Sequence, residues 1–246
     1  MTDSKRTLVM IPTYQERDNV ERILDRLLTA FPEAHALVVD DGSPDGTADL
    51  AEARSRIDPR VHVLRRTEKN GLGAAYIAAM HWGISRGYDV LVEMDADGSH
   101  PPETLPTMVA ALDRPTRPGL VIGSRWVDGG SVVNWPKSRE ALSRAGNAYA
   151  RIALGIGVKD ATAGYRVYRA ELLERIPLDD IDSHGYCFQV DMTLRVLDAG
   201  ESIVEVPIEF REREHGESKM SRSIVIEAML KVTQWGFARR VLRRAR

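Results

Sequence analysis

Short apolar runs and amphipathic stretches alternate along this 246-residue chain. Thr7–Ile11 is rich in β-formers and predicts a buried strand ended by Pro12. Arg17–Phe31 then repeats Val20, Ile23, Leu24, Leu27, Leu28 and Phe31 at helical spacing. Ala36–Val39 reads as a second strand, closed by the turn-rich run Asp40–Thr47, where Asp45 or Thr47 can cap a helix over Ala48–Ser55. Val61–Arg65, Asp89–Met94 and Leu120–Ser124 predict further strands. Gly73–Arg86, Glu103–Leu112 and Pro136–Ile156 predict helices. This β-α-β-α rhythm predicts an α/β fold with a doubly wound, mostly parallel sheet flanked by helices, binding its ligand at the strands' carboxyl ends. Polar clusters fall at those ends: Tyr14 and Glu16, Asp40 and Asp41, Asp95 and Asp97, and Ser124-Arg125.

The acidic pair carries the sharpest chemistry. Asp95 and Asp97 end an apolar strand one residue apart, so strand alternation aims both carboxylates to one side. Two hard oxygen ligands beside an open cavity suit Mg²⁺ or Mn²⁺, which complete their shells with substrate phosphates and water. Such an ion neutralises a departing diphosphate. The competing reading is a strand followed by an acidic turn.

Composition narrows the class. A net charge of −2 gives no basic field for nucleic acid. The single cysteine, Cys187, excludes a disulfide framework and a cysteine zinc site, and fits a reducing cytosol. The first residues contain no apolar signal-peptide core, and no window approaches the ~18–20 apolar residues of a transmembrane helix. Neither a G-x-G-x-x-G nor a P-loop pattern accompanies the strands, which argues against an ordinary NAD site and a Walker-type phosphate loop.

Two helices carry further signals. Arg139 and Ser143, four residues apart, are neighbours in the first turns of the helix predicted over Pro136–Ile156. A guanidinium, a hydroxyl and free N–H groups near a helix start form an anion site. Ser223–Leu242 is apolar around most of a helical wheel, leaving only a narrow stripe of Glu227, Lys231, Gln234 and Ala238. The expectation is that one side of such a helix packs on the domain and the other meets lipid or an integral membrane partner protein; the competing reading is a core helix with a solvated basic tail. Trp235 and the arginines that follow suit an anionic interface. The expected organisation is a catalytic domain over 1–222 and a membrane-facing amphipathic, basic helix over 223–246.

The motifs Pro12-Thr13-Tyr14-Gln15-Glu16, Val38–Thr47, Gly71–Ala75, Asp95-Ala96-Asp97 with His100-Pro101-Pro102-Glu103, and Gly123-Ser124-Arg125 occur in that order. Together they resemble the family 2 glycosyltransferases of GT-A fold. Asp160–Arg166, Gly185–Gln189 and Gly216–Lys219 narrow the resemblance to the polyprenol-phosphate (dolichol-phosphate) mannosyltransferases, over roughly Leu8 to Ser223.

The resemblance implies mannose transfer from GDP-mannose to a polyprenyl phosphate, with inversion, by a peripheral enzyme on the cytoplasmic face of a membrane. Pro12, Tyr14 and Glu16 would line the nucleotide pocket, Val39 and Asp41 would read base and ribose, and Ala96 would approach the nucleotide. Asp95 and Asp97 would hold the metal, with Ser99 where relatives often carry a glutamine. Arg125, Arg213 and Lys219 would contact phosphates, and Arg139 and Ser143 the lipid phosphate. His100 would orient the metal loop, Gln189 and Asp191 would touch the sugar, and Asp160 would touch sugar or cap the turn into Gly164. The alternatives are transfer of another hexose from a UDP-sugar, and a catalytically silent nucleotide-sugar-binding regulator of a membrane partner.

Overall fold

In the computed structural model, which describes residues 5–181, 186–212 and 229–239, the apolar runs become the strands of one central sheet. The N-terminal half alternates β1 (Thr7–Thr13), α1 (Arg17–Ala30), β2 (His35–Asp40), α2 (Thr47–Ser55), β3 (Val61–Arg65), α3 (Leu72–Ile84) and β4 (Val90–Glu93). There follow α4 (Leu105–Ala111), β5 (Leu120–Ser124), β6 (Ser131–Val133), α5 (Lys137–Leu154), β7 (Arg166–Arg169), α6 (Ala170–Leu173), α7 (Tyr186–Asp198), β8 (Ile203–Pro207) and β9 (Glu209–Arg211). Residues 229–239 form a last helix, α8.

The sheet order is β3-β2-β1-β4-β7-β5-β8. Every pairing is parallel except those of β7, which runs antiparallel between β4 and β5. Alternate residues of each strand enter two separate cores. Leu8, Met10, Leu37, Val39, Leu91 and Ile122 pack beneath α3, α5 and α7. Val9, Ile11, Val38, Val92 and Val121 pack beneath α1 and α4. Burial on both faces explains why these strands read as continuous apolar runs rather than alternating ones. Gly83 lets α3 settle onto the sheet, because a Cβ there would stand 2.5 Å from Leu91.

Several boundaries differ from expectation. β1 continues through Pro12 to Thr13. Beyond Met10 it pairs only with β2, so the missing proline N–H leaves no two-sided ladder broken. The helix expected from Glu103 begins as a 3-10 turn, Pro102–Thr104, and becomes α-helical at Leu105. Pro106 cannot donate the backbone bond that would carry an α-helix back further. Gly46, in the left-handed region at φ 85°, is the first residue before α2, and Asp45 bonds the Thr47 N–H from one place earlier. The antiparallel β7 was not expected, since its sequence Arg-Val-Tyr-Arg is bracketed by charges. Arg166 is nevertheless fully buried, its guanidinium donating to the carbonyls of Ala161 and Ala163 at 2.7 Å each. β6 and β9 form a small separate ribbon.

Candidate active site

The ends of β1 and β2 are laced together by their following loops. The Thr13 hydroxyl donates to Asp40 at 2.9 Å, and the Gln15 and Glu16 N–H groups donate to the Ser43 and Thr47 hydroxyls at 2.9 and 3.0 Å. This holds the half-buried Pro12, Tyr14 and Glu16 beside Asp41. The Glu16 carboxylate accepts from Asn19 at 2.7 Å, and the Lys69 ammonium lies 3.6 Å from the Tyr14 ring centroid. Val39 is fully buried. Asp41 pairs with Arg66 at 2.9 Å, yet burial outweighs that pairing and raises its pKa.

β4 delivers the acidic loop. The Asp95 N–H donates to His100 Nδ1 at 3.0 Å, so a neutral His100 carries its proton on Nε2. His100 is buried and stacks on Tyr165 with centroids 5.0 Å apart, an arrangement that anchors the loop. The Asp95 side chain is 37% exposed and accepts a long bond, 3.4 Å, from the Tyr76 hydroxyl. Asp97 accepts the Ser99 N–H at 3.0 Å, while Ala96 is buried between the two carboxylates in sequence. The Ser99 hydroxyl is buried without a hydrogen-bond partner among the described residues. Those residues contain no cluster of three His, Cys, Asp or Glu side chains fit to hold a metal, so the acidic pair would offer a cation an open shell. Behind Asp95, the fully buried Glu93 accepts from Gln189 at 2.6 Å, and burial pushes its pKa up to about 7. Gln189 thus lies packed behind the acidic loop, only 3% exposed.

A second set of candidates meets across a cavity of about 360 Å³. Arg125, Arg139, Ser143 and Thr162 supply its polar lining; Leu142, Tyr149, Val190, Met229 and Val232 supply apolar walls. Arg125 is held by Asp160 through two parallel bonds of 2.8 and 2.7 Å. Asp160, expected at the sugar or as a turn cap, is wholly buried in this pairing. Arg139 lies over Trp135, 4.1 Å from the ring centroid, and bonds Glu212 at 2.6 Å. Trp135 in turn meets Phe210 edge-on at 5.3 Å. Asp191 pairs with Arg195 at 2.9 Å and lines a different cavity, about 490 Å³, with Trp235 and Arg239. Arg213 and Lys219 lie outside the described residues.

α8 packs one face against this region. Val232 is buried, and Gly236 crosses α5 so closely that a Cβ would stand 2.5 Å from the Ala153 carbonyl oxygen. Arg239 bonds Asp198 at 2.6 Å. The outer face of α8 leaves Leu230 and Phe237 67% and 72% exposed, and Ile152 of α5 is exposed as well. No helix among the described residues is long and apolar enough to cross a membrane. Trp135, Asn147 and Glu212 were not singled out in the sequence. The run Trp135-Pro136, four residues before Arg139, was the available signal for the cation–π platform.

Fold and site define an enzyme that moves sugars: a GT-A glycosyltransferase, with an acidic pair following a central strand and a separate cavity lined by Arg125, Arg139 and Ser143. The chain belongs to the family described as Glycosyl transferase family 2, whose model matches residues 8–177. It is 57% identical over 97% of its length to the polyprenol monophosphomannose synthase of Mycolicibacterium smegmatis, covering 89% of that protein. It is 59% identical over 96% of its length to the undecaprenyl-phosphate mannosyltransferase of Micrococcus luteus, again covering 96%. Among solved structures, a mannosyltransferase from Pyrobaculum calidifontis in complex with GDP-Man and Mn²⁺ shares the fold. Its TM-score is 0.62 at 21% identity, over 98% of this chain and 65% of that one.

Proposed function

We propose that this enzyme transfers mannose from GDP-mannose to the phosphate of a polyprenol, at a membrane surface. The observation that carries the reading is the α5 cavity, where two guanidiniums and a hydroxyl share one space with apolar walls. A phosphate monoester with a hydrocarbon tail matches both kinds of lining, and a soluble sugar acceptor would leave the apolar walls unused. The relatives' names support the lipid-phosphate acceptor and the mannosyl group.

The donor nucleotide would lie against Pro12, Tyr14, Glu16, Val39 and Asp41, its diphosphate reaching Asp95, Ala96 and Asp97. Two carboxylates with room for other oxygens fit Mg²⁺ or Mn²⁺, and the unpartnered Ser99 hydroxyl adds a third oxygen. When bound, the cation supplies electrostatic stabilisation to the departing diphosphate. Arg139 and Ser143 hold the acceptor phosphate, with Arg125 presenting the guanidinium edge that Asp160 leaves free. A phosphate oxygen is already anionic near neutral pH and attacks the sugar C1 in a single displacement that inverts the anomeric centre. The C1–O bond to the diphosphate breaks as the new one forms, so no side chain need remove a proton. Positioning and electrostatics supply the rate. Gln189 supports the acidic loop through Glu93, while Arg213 and Lys219 would complete the phosphate contacts.

Leu142, Ile152, Met229, Leu230 and Phe237, all exposed apolar side chains of α5 and α8, would rest on the cytoplasmic face of the membrane as a peripheral contact. The test is product formation with polyprenyl phosphate and, in parallel, GDP-mannose, UDP-glucose and UDP-N-acetylglucosamine, with and without EDTA. Turnover of GDP-mannose alone, lost on chelation, is the expected result. Preference for a UDP-sugar would overturn the donor assignment.

A further inference from the structure

Asn147 lies one helical turn beyond Ser143 on α5 and is only 3% exposed. Its amide nitrogen donates to the Thr162 hydroxyl at 2.9 Å, to Asp160 at 3.2 Å and back to the Ser143 carbonyl at 3.1 Å. Its amide oxygen accepts the Thr162 N–H at 3.2 Å. Asparagine is a weak helix former in a helix interior, so these bonds, rather than helical preference, suit it to this position. Asp160 is the same carboxylate that grips Arg125. One side-chain amide therefore links the helix carrying Arg139 and Ser143 to the pair that fixes Arg125.

We propose that Asn147 is a positioning residue for sugar transfer: it sets the register of the Arg139–Ser143 turn against the Arg125–Asp160 pair, and so presents the acceptor phosphate at a fixed place. The inference rests on the acceptor reading of the α5 cavity. Asn147 is not among the residues lining that cavity, so it acts through its neighbours rather than on the substrate. Arg125 sits at the end of β5 and Arg139 on α5, elements joined in sequence through the small β6 ribbon. Without the amide bridge, α5 can shift by fractions of an ångström relative to β5. Misplacement of a reacting group by about 1 Å can cost on the order of 10²-fold in rate.

The test uses the full chain, GDP-mannose and a polyprenyl phosphate, with wild type measured first. If wild type makes no lipid-linked mannose, the acceptor reading itself fails, and this is known before any variant is made. Given wild-type transfer, Asn147→Ala is expected to lower kcat at saturating acceptor roughly 10- to 100-fold, while the Kd for GDP-mannose stays within about twofold. Asn147→Ser is the milder companion. Its hydroxyl can still bond the Ser143 carbonyl one turn back but is too short to bridge to Asp160, so the same loss of kcat is expected from a folded protein. In a double-mutant cycle, adding Asn147→Ala to Arg139→Ala should cost far less than it does in wild type, because both changes disable one acceptor-holding unit. Independent, multiplying effects would overturn the proposal, since a purely structural asparagine would act regardless of Arg139. Wild-type kcat in folded Asn147→Ser would overturn it equally.

Discussion

The Asp160 carboxylate holds the Arg125 guanidinium through two parallel bonds, 2.8 and 2.7 Å long, and also accepts the Arg125 backbone N–H at 2.9 Å. The arginine is thereby fixed in one rotamer before any ligand arrives. Its charge is largely compensated, but its orientation is pre-set, which favours directional recognition of an anion over strong attraction.

Because both members are buried, removing one strands the other. Asp160→Ala is expected to destabilise the fold by about 3–5 kcal/mol, the usual cost of leaving a buried charge unpaired. Chemical denaturation of wild type and variant measures it; an unchanged midpoint would show that the pair is dispensable.

Asp97 stands differently. It belongs to the acidic loop that follows β4, where its carboxylate accepts the Ser99 N–H at 3.0 Å. Asp97→Ala is expected to lower transfer by roughly 10³-fold or more through lost stabilisation of the leaving diphosphate, with the melting temperature nearly unchanged. Normal turnover by the folded variant would remove Asp97 from the site.

Arg139→Ala removes a guanidinium held between Trp135 and Glu212. The expected effect is a rise of about 10-fold or more in KM for polyprenyl phosphate with GDP-mannose affinity preserved, since the freed Glu212 carboxylate then repels the acceptor. Isothermal titration with donor, alongside acceptor kinetics, separates the two sites. Collapse of donor binding instead would move Arg139 to the nucleotide.

At the opposite ends of β2 and β3, His35 and His62 meet at 3.2 Å, and the Tyr88 hydroxyl lies 2.8 Å from His35 and 3.2 Å from His62. Burial lowers both histidine pKa values, and nearby arginines lower them further: Arg6 and Arg60 at His35, Arg86 and Arg6 at His62. The folded state therefore binds fewer protons here than the unfolded chain. Stability should hold above the ordinary histidine value of about 6.5 and fall as pH drops below it. A His35→Gln, His62→Gln double variant is expected to flatten the dependence of Tm on pH between 7.5 and 5.5. An unaltered slope would assign that dependence to other groups.

Much of this molecule was legible because its signals are local. The strands β1, β2, β4 and β5 are buried on both faces and announce themselves as apolar runs, and their ends place Tyr14, Asp41, Asp95 and Arg125 on one rim. What stayed hidden depends on contacts distant in sequence. Arg166 looks like a surface residue until β7 is inserted between β4 and β5, opposite Glu93 and Ile122, and buries it. Asp160 lies 35 residues from Arg125, and Glu212 lies 73 from Arg139, so neither partner could be read from spacing. Gln189 and Asp191 are two apart on one helix and so point to different sides; Gln189 turns to the acidic loop and Asp191 to Arg195.

The central claim, that the α5 cavity holds the lipid phosphate acceptor, is tested most directly by filling it. Gly146 lines that cavity, and a Cβ placed there meets nothing within 4 Å. Gly146→Phe should therefore fold, gain from helix propensity, and occupy space the acceptor needs. Mannose transfer to polyprenyl phosphate by this variant is the measurement. A loss of at least about 10-fold in kcat/KM for the lipid, with GDP-mannose binding intact, is the predicted result. Wild-type transfer by the folded variant would contradict the claim.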